Sequence, residues 1–222
     1  MSDFTADLIA PFLNHIEQQR GNGARTRNVR LTAIRSFCQF ACLHEPERCI
    51  HFQRILAIPY KHHVRREVNF LARTEIEKLL AAPDRSTWIG RRDHALLILA
   101  VQTGLRLSEL TTLRRTSLVL DGSPHVRCFG KGRKERCIPL TKQTVTVLRV
   151  WLKEPTCADT DVLFPTLRGG PLSADAVQHL LRKYVEQLRQ TCPSLNSKRV
   201  SPHVLRHSAA MELLHAGVDS IP

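Results

Sequence analysis

Apolar positions recur at helical spacing along most of this chain and alternate in only one stretch. Leu8, Phe12, Leu13 and Ile16 lie three or four apart and predict a first helix, with Pro11 expected in its opening turn. "RGNG" breaks that pattern. A second helix is predicted from near Thr26, with Leu31, Ile34, Phe37, Cys38 and Ala41 as its buried stripe. "PYKHHVRREVNF", Pro59 to Phe70, has no period and reads as a linker. Beyond it, Thr74 and Glu77 have the spacing of a capping box ahead of Ile76, Leu79 and Leu80, and another helix from about Asp93 would carry "ALLILAV" into a core. From Thr116 the pattern changes to "TSLVLDG", "HVRCFGKG" and "KERCIPL", which predict a small antiparallel sheet with its last two strands joined through "GKGRK". Helical spacing returns after Ser173 with Val177, Leu180, Leu181, Tyr184 and Leu188. The expected class is mainly α with a small antiparallel β-sheet (α+β), in two domains, a helical 1–65 and a larger 66–222.

Charge narrows the partners. Lys plus Arg number 33 against 20 Asp plus Glu, a formal +13, while 42% hydrophobic residues suffice for a core. Such an excess favours a polyanion. Arg20, Arg25, Arg27, Arg30 and Arg35 follow one another with no acidic residue between them, whereas a merely solvated helix face mixes signs. A DNA-facing surface is therefore expected there, extended by Lys61, Arg65 and Arg66 in the linker and by Arg133 and Lys134 in the turn. An aromatic content of 5%, with no cluster on a strand, gives little basis for RNA base stacking.

The longest apolar run, "ALLILAV", falls far short of the roughly 20 residues that span a bilayer. "MSDFTADLIA" is acidic where a secretory signal is basic, and an odd total of seven cysteines suits reduced thiols. The expected location is cytoplasmic, on the nucleoid when DNA is bound. Cys38, Cys42, His44, Cys49 and His51 match no common zinc spacing, so no metal is expected.

Three segments concentrate the chemistry. "TGLRLSEL", Thr103 to Leu110, sets Arg106 among apolar residues at a helix junction, with Gly104 able to end one helix and Leu107, Leu110 and Leu113 anchoring the next. A buried guanidinium cannot shed its charge and needs an anion, either Glu109 or an external phosphate. "GKGRKERCIPL" puts Lys131 between two glycines at a hairpin turn. "SPHVLRHSAAMELLHAGVD" places His203, Arg206 and His207 at i, i+3 and i+4, one face of a helix start where the dipole also favours anions. Together they fit metal-free phosphoryl transfer. Arg106 and Arg206 would neutralise the non-bridging oxygens, Lys131 and His203 would move protons, and Glu109 would hold Arg106.

These segments, in this order and at these separations, resemble the core motifs of the tyrosine recombinases, the phage integrase family. The likeness extends over nearly the whole chain, since the first 65 residues also resemble the family's helical core-binding domain. The resemblance implies a C-shaped clamp on double-stranded DNA, further recombinase protomers on that DNA, no cofactor, and no membrane or small-molecule substrate. It implies cleavage and rejoining through a 3′-phosphotyrosyl link, as in integration or transposition of a mobile element. Arg106 and Arg206 would be the paired arginines, Lys131 the donor to the leaving 5′ oxygen, His203 the histidine of the H-x-x-R element, with Glu109 and His207 in support.

The chain departs from the family at its end. There a further helix bearing His or Trp, in an "LGH" setting, and then the nucleophilic tyrosine follow shortly after "AGVD"; here the residues end at Pro222. Tyr60 lies in the linker and Tyr184 in an apolar stripe, where it reads as core. The expectation is a phosphate pocket without a nucleophile, hence a chain that cannot cleave alone. The alternative is a non-catalytic DNA-binding protein that occupies or blocks recombination sites.

Overall fold

The structure is a computed structural model and describes residues 4–63, 70–130, 134–155 and 160–215, the last four without their side chains. The chain divides into two compact units, Met1–Glu67 and Val68–Pro222.

The first unit holds α1 (Ala6–Gln18), α2 (Ala24–His44) and α3 (Cys49–Leu56). Its core is Ile9, Leu13 and Ile16 from α1, Leu31, Cys38 and Ala41 from α2, and Phe52 and Ile55 from α3. Of the expected stripe of α1, Leu13 and Ile16 are buried whereas Leu8 and Phe12 are exposed, Ile9 taking the remaining core position; on α2, Phe37 is exposed too. Pro11 lies inside α1, beyond its first turn.

Residues 56–61, where the expected linker begins, are tied to α2. Arg27 Nη1 donates to the Pro59 carbonyl at 3.2 Å, Asn28 Nδ2 to that of Lys61 at 2.7 Å, and Arg35 Nη1 to those of Leu56 and Ile58. A linker was expected because the apolar period stops there. The backbone carbonyls that the segment offers to α2 leave no mark in side-chain periodicity.

The second unit is built around α5 (Trp88–Thr103), in which Ala95 to Ala100 are all buried, as for a helix covered on every side. Around it stand α4 (Arg73–Ala81), α6 (Leu107–Thr111), α7 (Lys142–Leu152), α8 (Ala174–Arg189) and α9 (Pro202–His215). Helix α5 starts five residues before Asp93, where Thr87 Oγ1 accepts from the Gly90 amide at 3.0 Å. The cap of α4 also differs from expectation. Ala72 precedes the helix, and its amide donates to Glu75 Oε2 at 2.8 Å, so Thr74 is already inside. Helix α7 is unanticipated; Thr141 caps it, and Val145, Leu148 and Trp151 are buried.

Three antiparallel strands, β1 (Leu118–Val119), β2 (His125–Phe129) and β3 (Glu135–Pro139), lie in that order. Their register pairs Val126 with Ile138 and Cys128 with Arg136. Opposed residues in an antiparallel pair point to the same face, so Arg136 shares the side of buried Val126 and Cys128. The mainly helical class with one small antiparallel sheet is the observed architecture.

Candidate active site

The α5–α6 junction forms as its residues dictate. Gly104 adopts φ 58°, ψ 28°, a left-handed conformation that ends α5 with its amide bonded to the Ala100 carbonyl. Two residues on, Arg106 is the N-cap of α6 and Glu109 its third residue. Glu109 Oε2 accepts from the Arg106 backbone amide at 2.7 Å, and Oε1 from Arg106 Nη1 at 3.2 Å.

The burial is the reverse of that expected. The Arg106 side chain is 49% exposed and that of Glu109 only 5%. A long side chain carries its guanidinium out of an apolar setting, whereas the short carboxylate stays inside and needs hydrogen bonds.

Helix α9 packs against this junction. Among its described side chains Val204, Leu205, Ser208 and Ala209 are buried, two i, i+4 pairs. Ser208 is fully buried; its hydroxyl accepts from the Leu71 amide at 2.8 Å and donates to the Val204 carbonyl at 2.8 Å. Arg206, half-buried, donates from Nη1 to the Gly104 carbonyl at 2.6 Å. A Cβ added to Gly104 would stand 3.4 Å from Ala209 Cβ and 3.7 Å from Arg206 Cγ. Arg106, Glu109 and Arg206 are thus gathered at one place. His203 and His207 are exposed on α9, one turn before Arg206 and one residue after it.

Lys131 and Arg133 lie outside the described residues, as do Arg65 and Arg66. Lys134 is exposed, and its carbonyl accepts from the Gly130 amide at 2.8 Å across the hairpin.

Arg136, not among the expected site residues, joins the cluster at Glu109. Its Nη2 donates to Glu109 Oε2 at 2.7 Å, so the buried carboxylate serves two guanidiniums. The signal was present in "KERCIPL", because Arg136 is two residues from Ile138 and takes the same face of a strand. A charge in a core-facing slot requires a partner.

The basic stretch of the first unit divides by burial. Arg20, Arg25 and Arg30 are exposed, whereas Arg27 is 6% exposed, 3.6 Å from Glu17, and bonded to Pro59. Arg35 is bonded to two carbonyls and lies over the Tyr60 ring at 5.1 Å, and Lys61 pairs with Glu17 at 2.6 Å. Of the arginines expected to face DNA, Arg27 is buried and Arg35 half-buried, and both are bonded within the unit. They fold back because the carbonyls of Leu56, Ile58 and Pro59 need donors, which these two guanidiniums supply.

Tyr184 is 4% exposed, and its hydroxyl donates to Asp93 Oδ2 at 2.8 Å. Burial first, then that carboxylate, push its phenol above the ordinary value of 10.0. Arg92 completes the network, donating from Nη2 to Asp93 Oδ1 at 2.8 Å and from Nη1 to the Pro165 carbonyl at 3.0 Å. Among the described residues no group of three or more His, Cys, Asp or Glu could hold a metal ion, and no helix is long and apolar enough to cross a membrane.

Arg106, steadied by a buried carboxylate, and Arg206, held by the Gly104 backbone carbonyl, offer the donor chemistry that an oxyanion would take. Residues 69–221 match the phage integrase family. The chain belongs to that family. A family relative, the Sinorhizobium fredii protein y4rC, an integrase/recombinase by its name, is 54% identical over 217 residues, which cover 98% of this chain and 65% of that protein. This chain therefore spans just under two thirds of y4rC. The tyrosine recombinase XerC of Pelotomaculum thermopropionicum is 35% identical over 227 residues, covering 98% of this chain and 71% of its own. Two solved structures share the integrase fold. XerH site-specific recombinase bound to difH substrate superposes with a TM-score of 0.72 at 24% identity, covering 99% of this chain and 62% of that one. The Tn1549 transposon integrase in complex with circular intermediate DNA gives 0.75 at 16%, covering 98% and 75%.

Proposed function

We propose that this chain binds double-stranded DNA and seats one backbone phosphate between Arg106 and Arg206, in the strand cleavage and rejoining of site-specific recombination. The observation that carries the reading is the Arg206 to Gly104 bond at 2.6 Å, which brings the H-x-x-R helix to the junction bearing Arg106. The guanidiniums stabilise charge on the non-bridging oxygens, where electrostatic preorganisation contributes most in phosphoryl transfer. Lys131 and His203 exchange protons with the bridging oxygens, with Glu109 and His207 in support. Exposed Arg20, Arg25 and Arg30 meet the phosphates flanking the site, and the units 1–65 and 66–222 act as core-binding and catalytic domains. Further protomers assemble on the same DNA, and the reaction needs no cofactor.

A second reading rests on the tyrosines. The Tyr184 hydroxyl is committed to Asp93, and the Tyr60 hydroxyl lies 3.3 Å from Thr32 Oγ1, within the first unit. On this reading residues 1–222 by themselves occupy DNA without cutting it. Mixing nicked suicide duplexes with this chain, alone and joined to a C-terminal segment that carries a tyrosine, and looking for a denaturation-resistant adduct separates the two. An adduct that forms only with the tyrosine segment supports the cleaving reading, and DNA binding without an adduct in either form supports the occupying one. Both require DNA binding that weakens steeply with salt, with Arg106→Ala and Arg206→Ala each lowering the salt slope by about one. Slopes unchanged in both variants would remove the phosphate site.

A further inference from the structure

Among the described residues three donors share the Glu109 carboxylate at this site: the Arg106 amide, the Arg106 guanidinium and the Arg136 guanidinium. The bond from Arg136, at 2.7 Å, is shorter than the 3.2 Å bond from the Arg106 side chain. Arg136 also reaches the hairpin, because its Nη1 lies 3.5 Å from where a Cβ on Gly130 would stand. Two guanidiniums against one carboxylate leave one positive charge over. Without Arg136, Glu109 would face Arg106 alone. A buried anion so close to Arg106 would then compete with DNA for that guanidinium.

From this geometry we infer that Arg136 is a positioning residue for Arg106: it neutralises Glu109, so that the Arg106 guanidinium turns to the phosphate with its charge uncommitted. The inference rests on the reading of Arg106 as a phosphate-gripping group. Arg136 itself touches no phosphate. It acts through Glu109, which the Arg106 amide and Arg136 keep anchored when the Arg106 side chain swings to DNA.

The test is binding of a fluorescent duplex of arbitrary sequence at low salt, with the melting transition of each variant as a folding control. Arg136→Ala weakens binding about ten-fold, the scale of one lost charge-assisted contact. The double variant Arg106→Ala/Arg136→Ala binds no more weakly than Arg106→Ala. Removing the carboxylate's charge makes Arg136 dispensable, so Glu109→Gln/Arg136→Ala binds like Glu109→Gln. Arg136→Lys, which restores a cation, recovers most of the affinity. If Arg136→Ala does not fold, the Glu109→Gln pair and Arg136→Lys decide, because the pair leaves no buried carboxylate uncompensated. Independent losses in the double variant, or a deficit that persists beside Glu109→Gln, would overturn the inference and assign Arg136 to DNA contact or to hairpin structure alone. If Arg106→Ala binds as tightly as the unaltered chain, it is the phosphate reading beneath that fails.

Discussion

Arg206 donates a hydrogen bond to the Gly104 carbonyl at 2.6 Å, across 102 residues of sequence. The bond fixes α9 to the turn that ends α5, two residues before Arg106. Gly104 can make that turn because it lacks a Cβ and takes φ 58°. The pair proposed to grip phosphate therefore depends on a residue that has no side chain.

Gly104→Ala places a Cβ in left-handed backbone at a cost of about 1–2 kcal/mol. The new contacts, 3.4 Å to Ala209 and 3.7 Å to Arg206, are ordinary ones and add little. A calorimetric midpoint lower by several degrees, with weaker DNA binding, is the expected outcome; an unchanged midpoint would show that the turn is not strained by a side chain.

Arg206→Lys keeps the charge and loses the planar fork that serves the Gly104 carbonyl and, in the proposed site, an oxyanion as well. Salt titration of DNA binding should show a slope close to that of the unaltered chain with a lower affinity at every salt concentration. Affinity equal to the original would mean that Arg206 acts as a point charge only.

Tyr184→Phe removes the donor to Asp93 Oδ2, leaving part of a buried carboxylate unsatisfied. The expected loss is roughly 1–3 kcal/mol in urea unfolding. DNA affinity of the folded protein should not change, because the phenol is spent on core structure. A loss of DNA affinity or of adduct formation without a loss of stability would return Tyr184 to the site.

His94 and Glu75 are two of the groups whose shifted pKa values bear on the acid side of the stability profile. Burial lowers the His94 pKa below its ordinary 6.5, although the bond from its ring Nδ1 to the Leu80 carbonyl works the other way. A depressed folded value means that the unfolded chain binds the proton first, so this contribution is full above pH 6.5 and is lost as pH falls. For Glu75, burial acts to raise the pKa and is outweighed by hydrogen bonds from Lys198, Ser194 and the Ala72 amide. Its contribution holds above its ordinary 4.5 and fades as pH falls through the lowered value. Thermal melts of His94→Gln should lose the dependence that begins at 6.5 and keep the one that begins at 4.5. Retention of both would rule out His94 as the source of the first.

Helices with one dry face were legible wherever the apolar positions repeated cleanly, as in α8, where Val177, Leu180, Leu181 and Tyr184 are all buried. Helix α7 was overlooked because it follows directly on the strand signals, although Thr141 and the spacing of Val145, Leu148 and Trp151 announced it. On α1, two overlapping stripes, Leu8 with Phe12 and Ile9 with Leu13, compete at the same period. Only packing against α2 and α3 selects the second.

Local chemistry in the sequence determined that a glycine would turn the chain before Arg106, that Glu109 would reach back to it, and that His203 and Arg206 would lie one turn apart. Each of these spans no more than a few residues, and backbone geometry alone sets such distances. Tertiary structure decided which charge at that junction is buried, which of the arginines on α2 are turned inward, and that Arg136 of β3 shares Glu109 with Arg106. Those outcomes join residues far apart in the chain, and the cost of leaving a buried polar group unpaired is settled only when distant elements close upon it.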